Sequence, residues 1–124
     1  MAKILGVGGI FFKSPDPKAL VAWYAKWLGV EPKWESFVVY QPASLPLGAY
    51  AVWSPFENKT DYFEPSKRDF MVNLIVDDLE DMLAQIRGSG TTVSSEIQES
   101  EYGRFGWFID PDGNKVELWT PRAN

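Results

Sequence analysis

A chain with no histidine and no cysteine lacks the commonest general base, the commonest metal ligand and all thiolate chemistry. Its carboxylates and tyrosines are left to act. Among them Glu117 stands out by its neighbours. Residues 115–119 read Lys-Val-Glu-Leu-Trp, an alternating strand with Val116 and Leu118 on one face and Lys115, Glu117 and Trp119 on the other. A carboxylate beside a tryptophan on a face expected to be apolar is costly unless it is solvated, paired or used. Used, it is a general base or the counter-charge of a cationic ligand group. Unused, it is expected to bond to Lys115, Tyr102 or Asn73. Both readings stay open.

The aromatic residues carry a similar choice. Trp53, Trp107 and Trp119, with Phe105 and Tyr102, either wall a pocket that stacks flat ligands or fill an ordinary core. Trp53 and Trp119 are expected in a cleft because they share a face with Ala51 and Glu117. Asn73, Phe11 and Met71 are expected on the same surface. Glu101-Tyr102-Gly103-Arg104 reads either as a mobile lid, with Gly103 as hinge and Arg104 reaching an anionic group, or as a solvated loop. Gly6-Val7-Gly8-Gly9 is no phosphate loop, since it precedes a strand and has no lysine partner.

The elements that must position these groups follow from local chemistry. Arg104–Ile109 and Lys115–Trp119 are strands joined by Asp110-Pro111-Asp112-Gly113-Asn114, where proline, aspartate and glycine each favour a tight turn. Upstream, Val7–Lys13 reads as a strand. Asp16 and Pro17 open a helix that Gly29 closes. Strands are expected at Val30–Trp34, Ser36–Tyr40 and Ala49–Trp53, with the proline-containing loop Gln41–Gly48 between the last two. A polar connector without clear periodicity, Ser54–Asp69, still holds Phe56, Tyr62 and Phe63 to bury. The pattern then restarts with a strand over Phe70–Val76, a helix over Asp78–Arg87, a strand over Thr92–Ile97 and the hairpin.

The two halves therefore share one order, strand–helix–strand–strand–strand. Gly9–Asp16 matches Met71–Asp78 at an offset of 62, and Tyr50–Pro55 matches Val116–Pro121 at an offset of 66. Such self-similarity signals a duplicated unit that cannot bury its sheet alone. The expectation is an α+β fold of two βαβββ modules around a cleft. Module one spans about 3–55, the connector about 56–68 and module two about 69–121, all within one domain of 124 residues.

Composition narrows the partners. The net charge of −5 is uneven, with +2 over residues 1–56 and −7 over 57–124. An acidic half disfavours nucleic-acid backbones and anionic membranes. No run of residues is long and apolar enough for a signal peptide or a membrane span, and the lack of cysteine suits a reducing compartment, so a cytoplasmic location is expected.

The last hairpin, Asp110–Asn114 followed by Val116-Glu117-Leu118, resembles that of the vicinal oxygen chelate superfamily. This superfamily groups glyoxalase I, bleomycin- and fosfomycin-resistance proteins and extradiol dioxygenases. Asp16–Gly29, ending Trp-Tyr-Ala-Lys-Trp-Leu-Gly, is similar to its first helix, and Val76-Asp77-Asp78-Leu79 to the start of its second. The resemblance implies a cleft, often shared between the subunits of a dimer, that holds a divalent metal for chelation by two substrate oxygens. Its four ligand positions fall on Gly9, Ala51, Met71 and Glu117. A glycine, a methyl and a thioether give a hard cation nothing, so one carboxylate remains where about three ligands are needed.

The resemblance thus points away from a metal-dependent glyoxalase or dioxygenase and implies no cofactor. The first expectation is a metal-independent protein, resembling the bleomycin-resistance branch, that binds or sequesters a small aromatic or apolar molecule with a polar or cationic group facing Glu117. The second is a metal-independent lyase or isomerase with Glu117 as general base and Tyr102, Asn73 or Arg104 stabilising an oxyanion. The third is a non-catalytic module whose cleft its own side chains fill. A homodimer is expected in each case, to cover sheet edges and surplus aromatics.

Overall fold

The computed structural model describes residues 1–122. Its elements are α1 (Pro17–Leu28), a 3-10 turn (Pro42–Ser44), β1 (Val72–Ile75), α2 (Leu79–Arg87), β2 (Gln98–Ser100), β3 (Gly103–Ile109) and β4 (Lys115–Pro121). The strands form one open mixed sheet in the order β1-β4-β3-β2, with β1 parallel to β4 and the other pairs antiparallel. Two helices lie against one face of it, so the class is α+β.

Local chemistry sets the helix ends. The Asp16 carboxylate accepts from the Ala19 amide at 3.1 Å, Pro17 opens α1, and Gly29 ends it in the left-handed region at φ 69°. The Asp78 side chain caps α2 by accepting from the Asp81 amide at 3.0 Å. The turn between β3 and β4 is held from inside by Asp110, which is buried. One of its oxygens accepts from the Asp112 and Asn114 amides, and the other from the Asn114 amide group at 3.0 Å and the Tyr24 hydroxyl at 2.8 Å. The last bond ties α1 to the hairpin.

The core lies between the helices and the sheet. Leu79, Leu83 and Ile86 of α2 and Leu28 of α1 pack on Val76, Phe108, Val116 and Leu118. Trp23 of α1 stacks on Phe108 with ring centroids 5.8 Å apart. Gly106 lets α2 come close, since a β-carbon there would lie 3.0 Å from a Leu83 methyl. This is the βαβββ order expected for the second half, with one change. Thr92–Ile97 contributes a single bridge, Val93 to Phe108, and the regular strand begins only at Gln98.

The first half departs from expectation. Among the described residues, Val7–Lys13, Val30–Trp34, Ser36–Tyr40 and Ala49–Trp53 form no hydrogen-bonded ladder beyond one bridge between Lys33 and Phe37. Every residue from 1 to 13 is exposed, and Phe11 is 95% exposed. An alternating strand is held only when an edge and a covering layer are offered together. Here α1 packs on the second-half core instead of covering first-half strands.

Candidate functional site

The sheet face away from the helices presents Asn73 from β1, Lys115, Glu117 and Trp119 from β4, and Phe105, Trp107 and Ile109 from β3. Register places Asn73 and Trp107 on either side of Glu117, and Phe105 beside Trp119. Opposed residues on neighbouring strands project to the same side, so the alternation read from the sequence puts these groups together.

Both oxygens of Glu117 are engaged. Asn73 Nδ2 donates to Oε1 at 2.8 Å, and the Tyr62 hydroxyl donates to Oε2. Tyr62 belongs to the connector, which crosses this face and is anchored a second time where Lys115 Nζ donates to the Tyr62 carbonyl oxygen. The same ammonium lies 4.8 Å from the Tyr62 ring centre and 5.0 Å from that of Trp107, a cation–π arrangement with two aromatic faces.

Burial holds the Lys115 amine below its ordinary pKa, against the opposing pull of the nearby Glu117 and Asp61 carboxylates. The Tyr62 phenol is pushed well above its usual range, first by burial and then by its bond to Glu117. The group is therefore a neutral phenol donating to a carboxylate, with an ammonium over the ring. Beside it lies a depression of only about 20 Å³, bounded by Tyr62, Glu96, Gln98, Phe105, Trp107 and Glu117 among others.

The other residues singled out from the sequence are placed as follows. Trp119 is buried on this face, stacked parallel to Phe105 at 5.9 Å and met edge-on by Tyr50 at 5.0 Å. Tyr102 does not reach Glu117; its carbonyl oxygen accepts from Trp119 Nε1 at 2.9 Å while its side chain is exposed. Arg104 lies on the opposite, helix-bearing face, where it pairs with Glu80 of α2 and with Glu99. Strand alternation accounts for this, since Arg104 is one residue from Phe105 and must point the other way. Met71 is half-buried at the start of β1. Phe11, Trp53, Gly9 and Ala51 are exposed and outside the sheet, so the structure does not bring them to Glu117.

Tyr62 is the residue that sequence reasoning missed. Its only signal was an aromatic cluster, Phe56, Tyr62 and Phe63, in an otherwise polar segment. In the structure these rings pack on one another, with Phe56 and Tyr62 stacked at 5.7 Å.

The divalent metal that the resemblance implies does not fit these residues. Gly9 and Ala51 supply no donor atom, Met71 supplies a thioether, and the two Glu117 oxygens already accept hydrogen bonds from Asn73 and Tyr62. Among the described residues no group of three or more carboxylates converges on a point.

Comparison with known proteins agrees with the architecture. Residues 9–119 match the family model described as a glyoxalase-like domain. No curated protein matches the sequence. A solved structure from the mobile metagenome of V. Pseudocholerae is similar over 100% of this chain and 99% of its own, with a TM-score of 0.61 and 18% identity. The oxidase ChaP-H2 aligns over 90% of this chain and 89% of its own, at TM-score 0.54 and 24% identity. TnmS3, an antibiotic binding protein from Streptomyces sp. CB03234, aligns over 86% of this chain and 88% of its own, at TM-score 0.51 and 21% identity. At such identities these neighbours speak for the fold alone. The family match spans nearly the whole chain and includes the hairpin and helix motifs, and on it the chain belongs to the glyoxalase-like domain family of the vicinal oxygen chelate superfamily.

Proposed function

We propose that this protein binds a small aromatic or apolar molecule on the open sheet face without a metal ion, and that it works as a cytoplasmic homodimer. The observation that carries the reading is the composition of that face: Phe105 and Trp107 as flat walls, backed by buried Trp119, around one engaged carboxylate, with no donor set for a cation among the described residues. Binding of this kind is compatible with the fold, since TnmS3 is described as an antibiotic binding protein.

The homodimer is supported by surface area. The chain exposes 9476 Å², whereas a compact monomer of 14.1 kDa exposes about 6,700 Å². The surplus of roughly 2,700 Å² per chain, about 5,400 Å² for two chains, is at the upper end of what obligate interfaces cover. Much of it comes from first-half apolar residues such as Ile4, Leu5, Phe11, Trp34, Leu47 and Trp53. In this reading the first-half module of about residues 3–55 completes its sheet against a second copy, and Phe11 and Trp53 join the site there.

A second reading, a pure association module, is favoured by the small size of the depression beside Glu117. Its roughly 20 Å³ is far below the several hundred cubic ångströms of a drug-sized site. A third, metal-independent lyase or isomerase chemistry with Glu117 as base, requires the Tyr62 bond to be released first.

One set of measurements separates them. Sedimentation gives the oligomeric state, and calorimetric titration with 2-naphthol and with a naphthylalkylammonium salt gives binding, with and without added zinc, nickel or manganese. The binding reading expects a saturable dimer indifferent to metal. Stoichiometric metal uptake, or a dimer that binds neither probe, overturns it. Turnover of a carbon acid that Glu117→Gln abolishes would favour the enzyme.

A further inference from the structure

We infer that the open face is built to receive a phenol, and that Tyr62 is a tethered occupant of that phenol site which a ligand must displace. The inference rests on the reading of the open face as a ligand site and names the chemical class that the site takes. Its basis is the juxtaposition of Tyr62, Glu117, Lys115 and Trp107.

Tyr62 comes from the connector, not from the sheet, yet the sheet satisfies each part of it. Glu117, itself oriented by Asn73 at 2.8 Å, accepts the hydroxyl. The Lys115 ammonium lies 4.8 Å from the ring centre and also against Trp107, so it bridges the phenol to an aromatic wall. Acceptor, cation and flat wall together are complementary to an electron-rich ring bearing one O–H donor. An aliphatic or non-hydroxylated ring offers no donor to the half-buried Glu117 carboxylate and so forgoes this bond.

The seat is also separable from its occupant. Tyr62 is 39% exposed, its ring stacks on Phe56 of the same connector, and among the described residues its side chain makes one hydrogen bond to the sheet. Beside it, the depression floored by Phe105, Trp107 and Glu117 has room for little more than a water molecule while Tyr62 is seated. A ligand whose hydroxyl takes the Glu117 seat therefore competes with an internal phenol, whereas a ring bound elsewhere on the face does not. The competing ligand's apparent affinity is lowered by the fraction of molecules in which Tyr62 has left.

The test uses the full chain and two probes, 2-naphthol and 2-methoxynaphthalene, which share a ring system and differ in the O–H donor. Tyr62→Ala removes the competitor, and calorimetry is expected to show 2-naphthol binding tightened by about tenfold or more. Binding of 2-methoxynaphthalene is expected to change little. Adding Glu117→Gln to Tyr62→Ala is expected to erase the preference between the probes.

Equal tightening of both probes overturns the phenol site while leaving small-molecule binding in place. Failure of a cooperatively unfolding Tyr62→Ala protein to bind either probe overturns both. If Tyr62→Ala does not fold, Tyr62→Phe decides. It keeps the ring and loses the donor, so 2-naphthol is expected to gain severalfold over 2-methoxynaphthalene, and no gain overturns the proposal.

Discussion

The two halves of this chain align with each other over two short stretches of sequence and end in different states. From Val72 onward the strands pair into a sheet and two helices cover it. Before residue 57 only α1 is regular beyond a 3-10 turn, and its apolar neighbours stay in solvent. The difference lies in what each half can do for itself. The second-half hairpin closes through a five-residue turn whose Asp110 accepts four hydrogen bonds from inside the fold. Its counterpart, Gln41–Gly48, is longer, contains two prolines and has no buried side chain. Sequence periodicity says which face a strand must bury; it does not supply the partner that buries it.

Substitutions sharpen this contrast. The largest expected effect is in the shared core, where Phe108→Ala should cost about 3–5 kcal/mol in urea unfolding. Phe11→Ala, at the exposed end of the first half, should leave a single chain within about 0.5 kcal/mol. If the homodimer is correct, Phe11→Ala should instead raise the dimer dissociation constant, seen as a shift toward monomer in sedimentation. An equal loss of intrinsic stability from both substitutions would break the comparison.

Next comes the turn. Asp110→Ala strands the Asn114 side chain and the Tyr24 hydroxyl at once, and about 3 kcal/mol is expected from the loss of this buried network. Gly103→Ala should also destabilise, because φ is 127° and a β-carbon would sit 2.3 Å from the Thr120 carbonyl oxygen. Ser44→Ala in the first-half loop should be neutral by the same unfolding measurement.

A pH series gives a smaller effect whose sign is fixed. Burial and neighbouring carboxylates, Asp110 for Tyr24 and Glu117 for Tyr62, raise both phenols above the ordinary value. In the unfolded chain they ionise near pH 10, so their contribution is fully present below that and is lost as pH rises above it. Lys115, held below its ordinary value, contributes in the opposite sense, its penalty easing as pH climbs toward the unfolded lysine range. With Tyr40, which burial also raises, three phenols against one amine predict a net fall in unfolding free energy above about pH 10. Tyr24→Phe should flatten that fall.

The smallest effect is expected at the pair of Arg104 and Glu80. The ion pair lowers the carboxylate and raises the guanidinium, yet the Glu80 partner is exposed to water and salt while Arg104 is half-buried. Glu80→Gln should leave the unfolding midpoint unchanged at physiological ionic strength.

What could be read from the residues was whatever nearest neighbours decide. Asp16, Pro17 and Gly29 bound α1, Asp78 caps α2, and the Asp-Pro-Asp-Gly-Asn turn sets the final hairpin, because caps and turns are satisfied within a few residues. The same short range exposed Glu117 as a carboxylate on an aromatic face, whereas the missing donors at Gly9, Ala51 and Met71 were legible only through the family resemblance. Period-two alternation also carried the signal that Arg104 and Phe105 face opposite ways. The tertiary structure alone decided that α1 would pack on second-half strands, that Tyr62 would cross about fifty residues of sequence to meet Glu117, and that Trp53 would stay in solvent. Each of these depends on competition between distant surfaces for one partner. No local pattern encodes the outcome of such a contest.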